Sequence, residues 1–136
     1  MPRADRADRA DLRGAETVLL VDDEPSIRRA GRRMLGRFGY RVLTAEDGRD
    51  AVACLERQEQ AIDVVVTDMV MPNMDARDLI GVIHRRWPHL PVLLSTGYDA
   101  GRLGQGDLAL FSGLVPKPYT PEEMLRAVRK ALDGRG

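Results

Sequence analysis

Apolar residues fall into short runs and helical stripes that alternate five times along the chain. Thr17–Val21 (TVLLV) is too short and too β-branched for a helix and reads as a strand buried on both faces. Over residues 26–39, Ile27, Ala30, Met34, Leu35 and Phe38 keep helical spacing, while Arg28, Arg29, Arg32, Arg33 and Arg37 fall elsewhere on the wheel. The pattern predicts an amphipathic helix with a basic outer face. Residues 40–45 give a second strand, Glu46-Asp47-Gly48 a turn, and residues 49–57 a short helix with Ala51, Val52 and Leu55 on one side. Residues 62–68 (IDVVVTD) form the third strand, ending in a turn at Met71-Pro72-Asn73. Leu79, Ile80, Ile83 and Trp87 then mark a third helix closed off by Pro88 and Pro91, and residues 92–95 a fourth strand running into Thr96-Gly97.

The last third is less regular. Between Tyr98 and Ser112, Gly101, Gly104 and Gly106 lower helix propensity, so a fourth helix there should be short or loosely held. Leu114-Val115-Pro116 is a final strand whose proline cannot donate to a ladder, which argues for a sheet edge. Thr120-Pro121-Glu122-Glu123 is a capping box, and Met124, Leu125, Val128 and Leu132 make the closing helix amphipathic up to Gly134. Strand followed by helix, five times over, predicts a parallel sheet covered on both faces. Right-handed crossovers and an edge position for the fifth strand favour a flavodoxin-like (βα)5 three-layer sandwich of order 2-1-3-4-5.

Composition narrows the picture. At 136 residues the chain holds one domain, read as residues 17–133, after a charged tail over 1–16 and before a short end at 134–136. The tail carries a triplet repeat, Arg3-Ala4-Asp5 through Arg9-Ala10-Asp11, with neither a helical nor a strand period. Its arginines are offset by neighbouring aspartates, and 21 basic against 21 acidic residues leave no net field to recommend nucleic acid as a direct partner. No apolar run approaches the ~20 residues of a membrane span, so membrane insertion is not expected and the location is read as cytoplasmic. The lone Cys54 excludes an internal disulfide and reads as packing. Trp87 also reads as packing, and His84 and His89, with no ligand partners at metal spacing, as surface residues.

The candidate chemistry lies where strands end. In order 2-1-3-4-5, the carboxyl ends of strands 1, 3, 4 and 5 bring Asp22 and Asp23, Asp68, Thr96 and Lys117 side by side. Any one of them could be local: Asp68 could bond its own turn, and Asp23-Glu24-Pro25 could simply start a helix. Together they offer three carboxylates for a hard divalent cation such as Mg2+, an ammonium and a hydroxyl for phosphoryl oxygens, and an Asp able to act as nucleophile. Phosphoryl transfer needs mainly such positioning and charge neutralisation.

Asp22-Asp23, Asp68 followed by Met71-Pro72, Thr96-Gly97 and Lys117-Pro118 resemble the receiver domain of two-component response regulators, the CheY-like family, over about residues 17–133. The resemblance implies that Asp68 accepts a phosphoryl group from the phosphohistidine of a sensor histidine kinase or histidine phosphotransfer domain. It implies that Asp23, Asp68 and the Val70 carbonyl hold Mg2+, with Asp22 acting through water, and that Thr96 and Lys117 contact the phosphoryl oxygens. It also implies a cis Lys117-Pro118 bond and a phosphorylation-sensitive surface around helix 4, strand 5 and helix 5. That surface would serve an unidentified downstream protein or a homodimer. Four positions bear on the family pattern: Leu114 where many members carry an aromatic switch residue, Ala76 where a glycine is common, and Val70 with Tyr98 flanking the site. Neither flanking residue orients water, which implies a long-lived aspartyl-phosphate. The alternatives are a pseudo-receiver used only for binding, which would predict eroded acids or lysine where none is eroded, and an aspartyl-phosphate type phosphatase, which would call for a second acid two residues after Asp68, where Val70 stands. The stretch from Gly14 to Glu24 is similar to the receivers of hybrid histidine kinases, with the repeat as linker.

Overall fold

The computed structural model describes residues 12–57, 61–97 and 104–134. Its strands are β1 (Thr17–Val21), β2 (Arg41–Ala45), β3 (Val64–Asp68), β4 (Val92–Thr96) and β5 (Gly113–Pro116). Each is followed by a helix: α1 (Pro25–Gly36), α2 (Gly48–Arg57), α3 (Ala76–Arg86), α4 (Gln105–Leu108) and α5 (Pro121–Gly134). All four pairings are parallel and the sheet order is β2-β1-β3-β4-β5, the flavodoxin-like arrangement expected from the alternation.

The central strands are apolar because both their faces are covered. Every residue of β1 and β4 is buried, and so are the first four of β3. Successive side chains point to opposite faces. Leu19, Val21, Val65 and Leu94 join one core with Ala51, Leu55, Leu79 and Ile83 from α2 and α3. Val18, Leu20, Val66 and Leu93 join the other with Leu35 of α1 and Met124, Leu125 and Val128 of α5. Each of the Val, Leu, Ile and Met side chains among them contributes about 1.5–3 kcal/mol of burial, so the strand ends are held on a stiff platform. β5 is an edge strand with Pro116 exposed, as its missing N–H requires.

Element ends follow local chemistry. Thr120 and Glu123 cap α5 reciprocally, Glu123 N donating to Thr120 Oγ1 at 3.1 Å and Thr120 N to Glu123 Oε1 at 2.9 Å. Helix α1 stops at Gly36, earlier than its apolar stripe suggests, because Tyr40 N reaches back to Leu35 O at 3.3 Å through Gly39, whose φ is 97°. A side chain at Gly39 would also run into the Gly14 carbonyl oxygen. Helix α4 has four residues, in keeping with the glycines of its segment; Gly101 and Tyr98 lie outside the described residues.

One boundary needs correcting. Residues 12–16, assigned to the tail from their charge, pack onto the domain: Leu12 is buried, its carbonyl accepts from Tyr40 Oη at 3.1 Å, and Gly14 N donates to Phe38 O at 3.0 Å. Arg129 of α5 then grips Glu16, Nη2 to Oε2 at 2.7 Å. Charge composition concealed this because the partners, Phe38, Tyr40 and Arg129, lie outside the segment. The triplet repeat itself lies outside the described residues. Among the described residues no helix is long and apolar enough to cross a membrane.

Candidate functional site

The carboxyl ends of β1, β3 and β5 converge on one ammonium group. Lys117 Nζ lies 3.1 Å from Asp22 Oδ2 and 3.2 Å from Asp68 Oδ1. Asp22 is buried, Asp68 part-buried and Asp23 exposed, and one carboxylate oxygen from each lies within 4.8 Å of the others. Asp22 Oδ1 accepts from Glu24 N at 2.9 Å, and its backbone carbonyl takes a 2.6 Å bond from Arg28 Nη1 of α1. Asp68 Oδ1 also accepts from Met69 N at 2.9 Å. These bonds aim the two inner carboxylates at the same small volume, with Asp23 at its solvent side.

The electrostatics follow from crowding. Burial, then the neighbouring Asp22 charge, pushes the Asp68 carboxyl above its ordinary pKa, and Lys117 only partly offsets this. Burial works against the Lys117 ammonium, but the Asp68 and Asp22 carboxylates outweigh it and hold its pKa above the usual lysine value. The cluster is therefore short of positive charge while Lys117 stays protonated. The donor set suits Mg2+: three carboxylates offer hard oxygens, and their spacing within 4.8 Å could hold one ion.

Thr96 and Val70 stand at the rim. The Thr96 hydroxyl, buried at the end of β4, donates to Met69 Sδ at 3.8 Å, while Lys117 N donates to Thr96 O at 2.9 Å. Val70 follows Asp68 by two positions with its side chain 51 % exposed. A cavity of about 530 Å³ opens beside Asp68, lined by Ile27, Ala30 and Met34 of α1, Val70, Pro118 and Tyr119. The Lys117-Pro118 peptide is cis. Ala76 is the first residue of α3, and among the described non-glycine residues Asn73 alone has positive φ, so the loop needs no glycine at 76.

Sequence reading missed Arg28, Tyr119, and the pair Asp47 and Asn73. Asn73 Nδ2 donates to Asp47 Oδ2 at 2.7 Å, and that bond is the leading cause holding the Asp47 carboxyl below its usual pKa. The turns at Met71-Pro72-Asn73 and Glu46-Asp47-Gly48 were visible as motifs; their meeting was not, nor was the positive φ of Asn73. Residues expected to lie apart from this chemistry do. His84 and His89 are exposed near the far end of α3, Trp87 packs against the core with Arg86 stacked 4.5 Å over its ring, and burial raises the pKa of Cys54. Tyr98 lies outside the described residues.

Comparison with known proteins gives a consistent set of matches. A family model described as "Response regulator receiver domain" matches residues 18–129. The chain is 35% identical over 125 residues to "Sensor kinase CckA" of Brucella abortus, covering 90% of this chain and 13% of that protein. It is 36% identical over 126 residues to "Probable transcriptional regulatory protein TcrX" of Mycobacterium tuberculosis, covering 88% and 51%. Among solved structures, a response regulator receiver domain protein from Clostridium thermocellum superposes with TM-score 0.80 at 28% identity, over 87% of this chain and 94% of that one. Chemotaxis response regulator CheY4 of Vibrio cholerae superposes with TM-score 0.76 at 29% identity, over 88% and 100%. The chain thus spans about half or less of the two curated relatives.

Proposed function

Because the chain belongs to the response regulator receiver domain family, we propose that it is a phosphoacceptor signalling domain in which Asp68 takes a phosphoryl group from a phosphohistidine. The observation that carries this reading is the Lys117 ammonium held between Asp22 and Asp68 within a three-carboxylate cluster at the strand ends. An Asp68 carboxylate oxygen attacks phosphorus; the P–O bond forms as the P–N bond breaks, and the departing imidazole nitrogen keeps the electron pair and takes a proton from water. Mg2+, held by Asp23, Asp68 and the Val70 carbonyl with Asp22 acting through water, would supply charge neutralisation for the phosphoryl oxygens. Lys117 shifts its ammonium from the free carboxylate to the phosphoryl oxygens, and the Thr96 hydroxyl exchanges a weak sulfur acceptor for an oxyanion.

Two relatives carry a receiver in a sensor kinase and in a transcriptional regulator, and the proposed step is common to both contexts. The donor is a sensor histidine kinase or histidine phosphotransfer domain, and the apolar rim of Ile27, Ala30, Met34 and Pro118 beside Asp68 gives its helices a place to dock. Signalling then proceeds by a population shift, read by a downstream protein at the face around α4, β5 and α5, where Leu114 is 50 % exposed. With an apolar side chain at Val70, the aspartyl-phosphate should outlast about a minute in Mg2+.

Incubation with acetyl phosphate as small phosphodonor tests the reading. Labelling of Asp68 that requires Mg2+ and stops on chelation supports it; labelling that ignores the chelator, or none at any Mg2+ concentration, overturns it.

A further inference from the structure

The segment between β3 and α3 must hold both the Asp68 carboxylate and the Val70 carbonyl in place. Its inward residues are fixed by burial: Met69 and Met71 are each 7 % exposed, and Ala76 N donates to Met69 O at 3.1 Å. Pro72 and Asn73 face solvent, where burial cannot hold them. A polar connection to the β2–α2 turn takes over there. Asn73 Nδ2 donates to Asp47 Oδ2 at 2.7 Å, while Asp47 Oδ1 accepts from Asp50 N at 2.8 Å and caps α2. Next to it, Gly48 N donates to Met74 O at 3.0 Å. The fit is close: a Cβ on Gly48 would stand 2.6 Å from Met74 O, and Asn73 takes φ 65°, a conformation asparagine tolerates better than most residues.

We infer that the Asn73–Asp47 bond is a positioning clamp that fixes the loop carrying Val70 and so sets Mg2+ affinity and phosphorylation rate at Asp68. The clamp would act only through the backbone between Met69 and Met74. An outer partner of this kind, which orients a ligand without touching the metal, commonly changes affinity by about 10–100-fold when removed. This role rests on Asp68 being the phosphoacceptor.

Two variants of the full chain separate the clamp from general stabilisation. Asn73→Gly keeps access to positive φ and removes the amide; Asn73→Asp keeps the size and sets a carboxylate against Asp47. Hydrogen–deuterium exchange of residues 69–75 in metal-free protein, Mg2+ affinity by titration calorimetry, and acetyl phosphate labelling rates across Mg2+ concentrations are the readouts. Faster exchange confined to that loop, Mg2+ binding weaker by about 10-fold, and labelling rates restored at saturating Mg2+ support the clamp. Wild-type loop exchange and Mg2+ affinity in both variants overturn it, as does a loss of protection spread evenly over the domain. If the wild type labels and the variants match it, the clamp alone is wrong; if the wild type fails to label at Asp68, the phosphoacceptor reading falls and the clamp with it.

Discussion

Lys117 is flanked by two carboxylates at 3.1 and 3.2 Å, and Asp22 has little solvent to fall back on. Replacing the ammonium with an uncharged side chain of similar length leaves a buried charge without its partner. Lys117→Met should lower stability in metal-free buffer by about 1–3 kcal/mol in urea denaturation, and a wild-type midpoint would contradict the electrostatics described. Tyr119 gives the opposite case. Its hydroxyl is buried with no hydrogen-bond partner among the described residues, so Tyr119→Phe should be neutral or stabilising by up to about 1 kcal/mol. That Asp22, Asp68 and Lys117 meet was legible, because each is a polar residue closing an apolar run and the sheet order makes those ends neighbours. Asp47 with Asn73, 26 positions apart, was not, since each lies in a turn whose motif names no partner and only the folded loop brings them together.

Strand positions could be read closely because parallel strands buried on both faces are almost wholly apolar, whereas helix ends and the N-terminal segment depend on partners far along the chain. The contact of Glu16 with Arg129, 113 positions away, is such a case. The Arg129 hydrogen bond holds the Glu16 pKa at about 2, below an unfolded value near 4.3. The folded value is depressed, so the contribution is present above about pH 4.3 and is lost as pH falls towards 2. With both side chains about a fifth exposed, it is worth on the order of 1 kcal/mol at neutral pH. Glu16→Gln should cost that amount at pH 7 in urea denaturation, and the gap should close on acidification; a gap constant with pH would count against the ion pair. At the start of α2, Gly48→Ala should destabilise by about 1–3 kcal/mol, because the backbone carbonyl of Met74 cannot swing away as a side chain would.

At the scale of the molecule, the parallel sheet brings Asp22, Asp68 and Lys117 together at one end, and both cores hold the strands that carry them. The order β2-β1-β3-β4-β5 followed from alternation of strand and helix and from a proline that suits only an edge. The short α4 followed from the glycines of its segment. Everything in the signalling account depends on a covalent change at one carboxylate. Intact-mass spectrometry after exposure to acetyl phosphate and Mg2+ measures that change directly. The account predicts an adduct of about 80 Da on the wild type and none on Asp68→Asn. An unmodified wild type, or an adduct that survives Asp68→Asn, would contradict it.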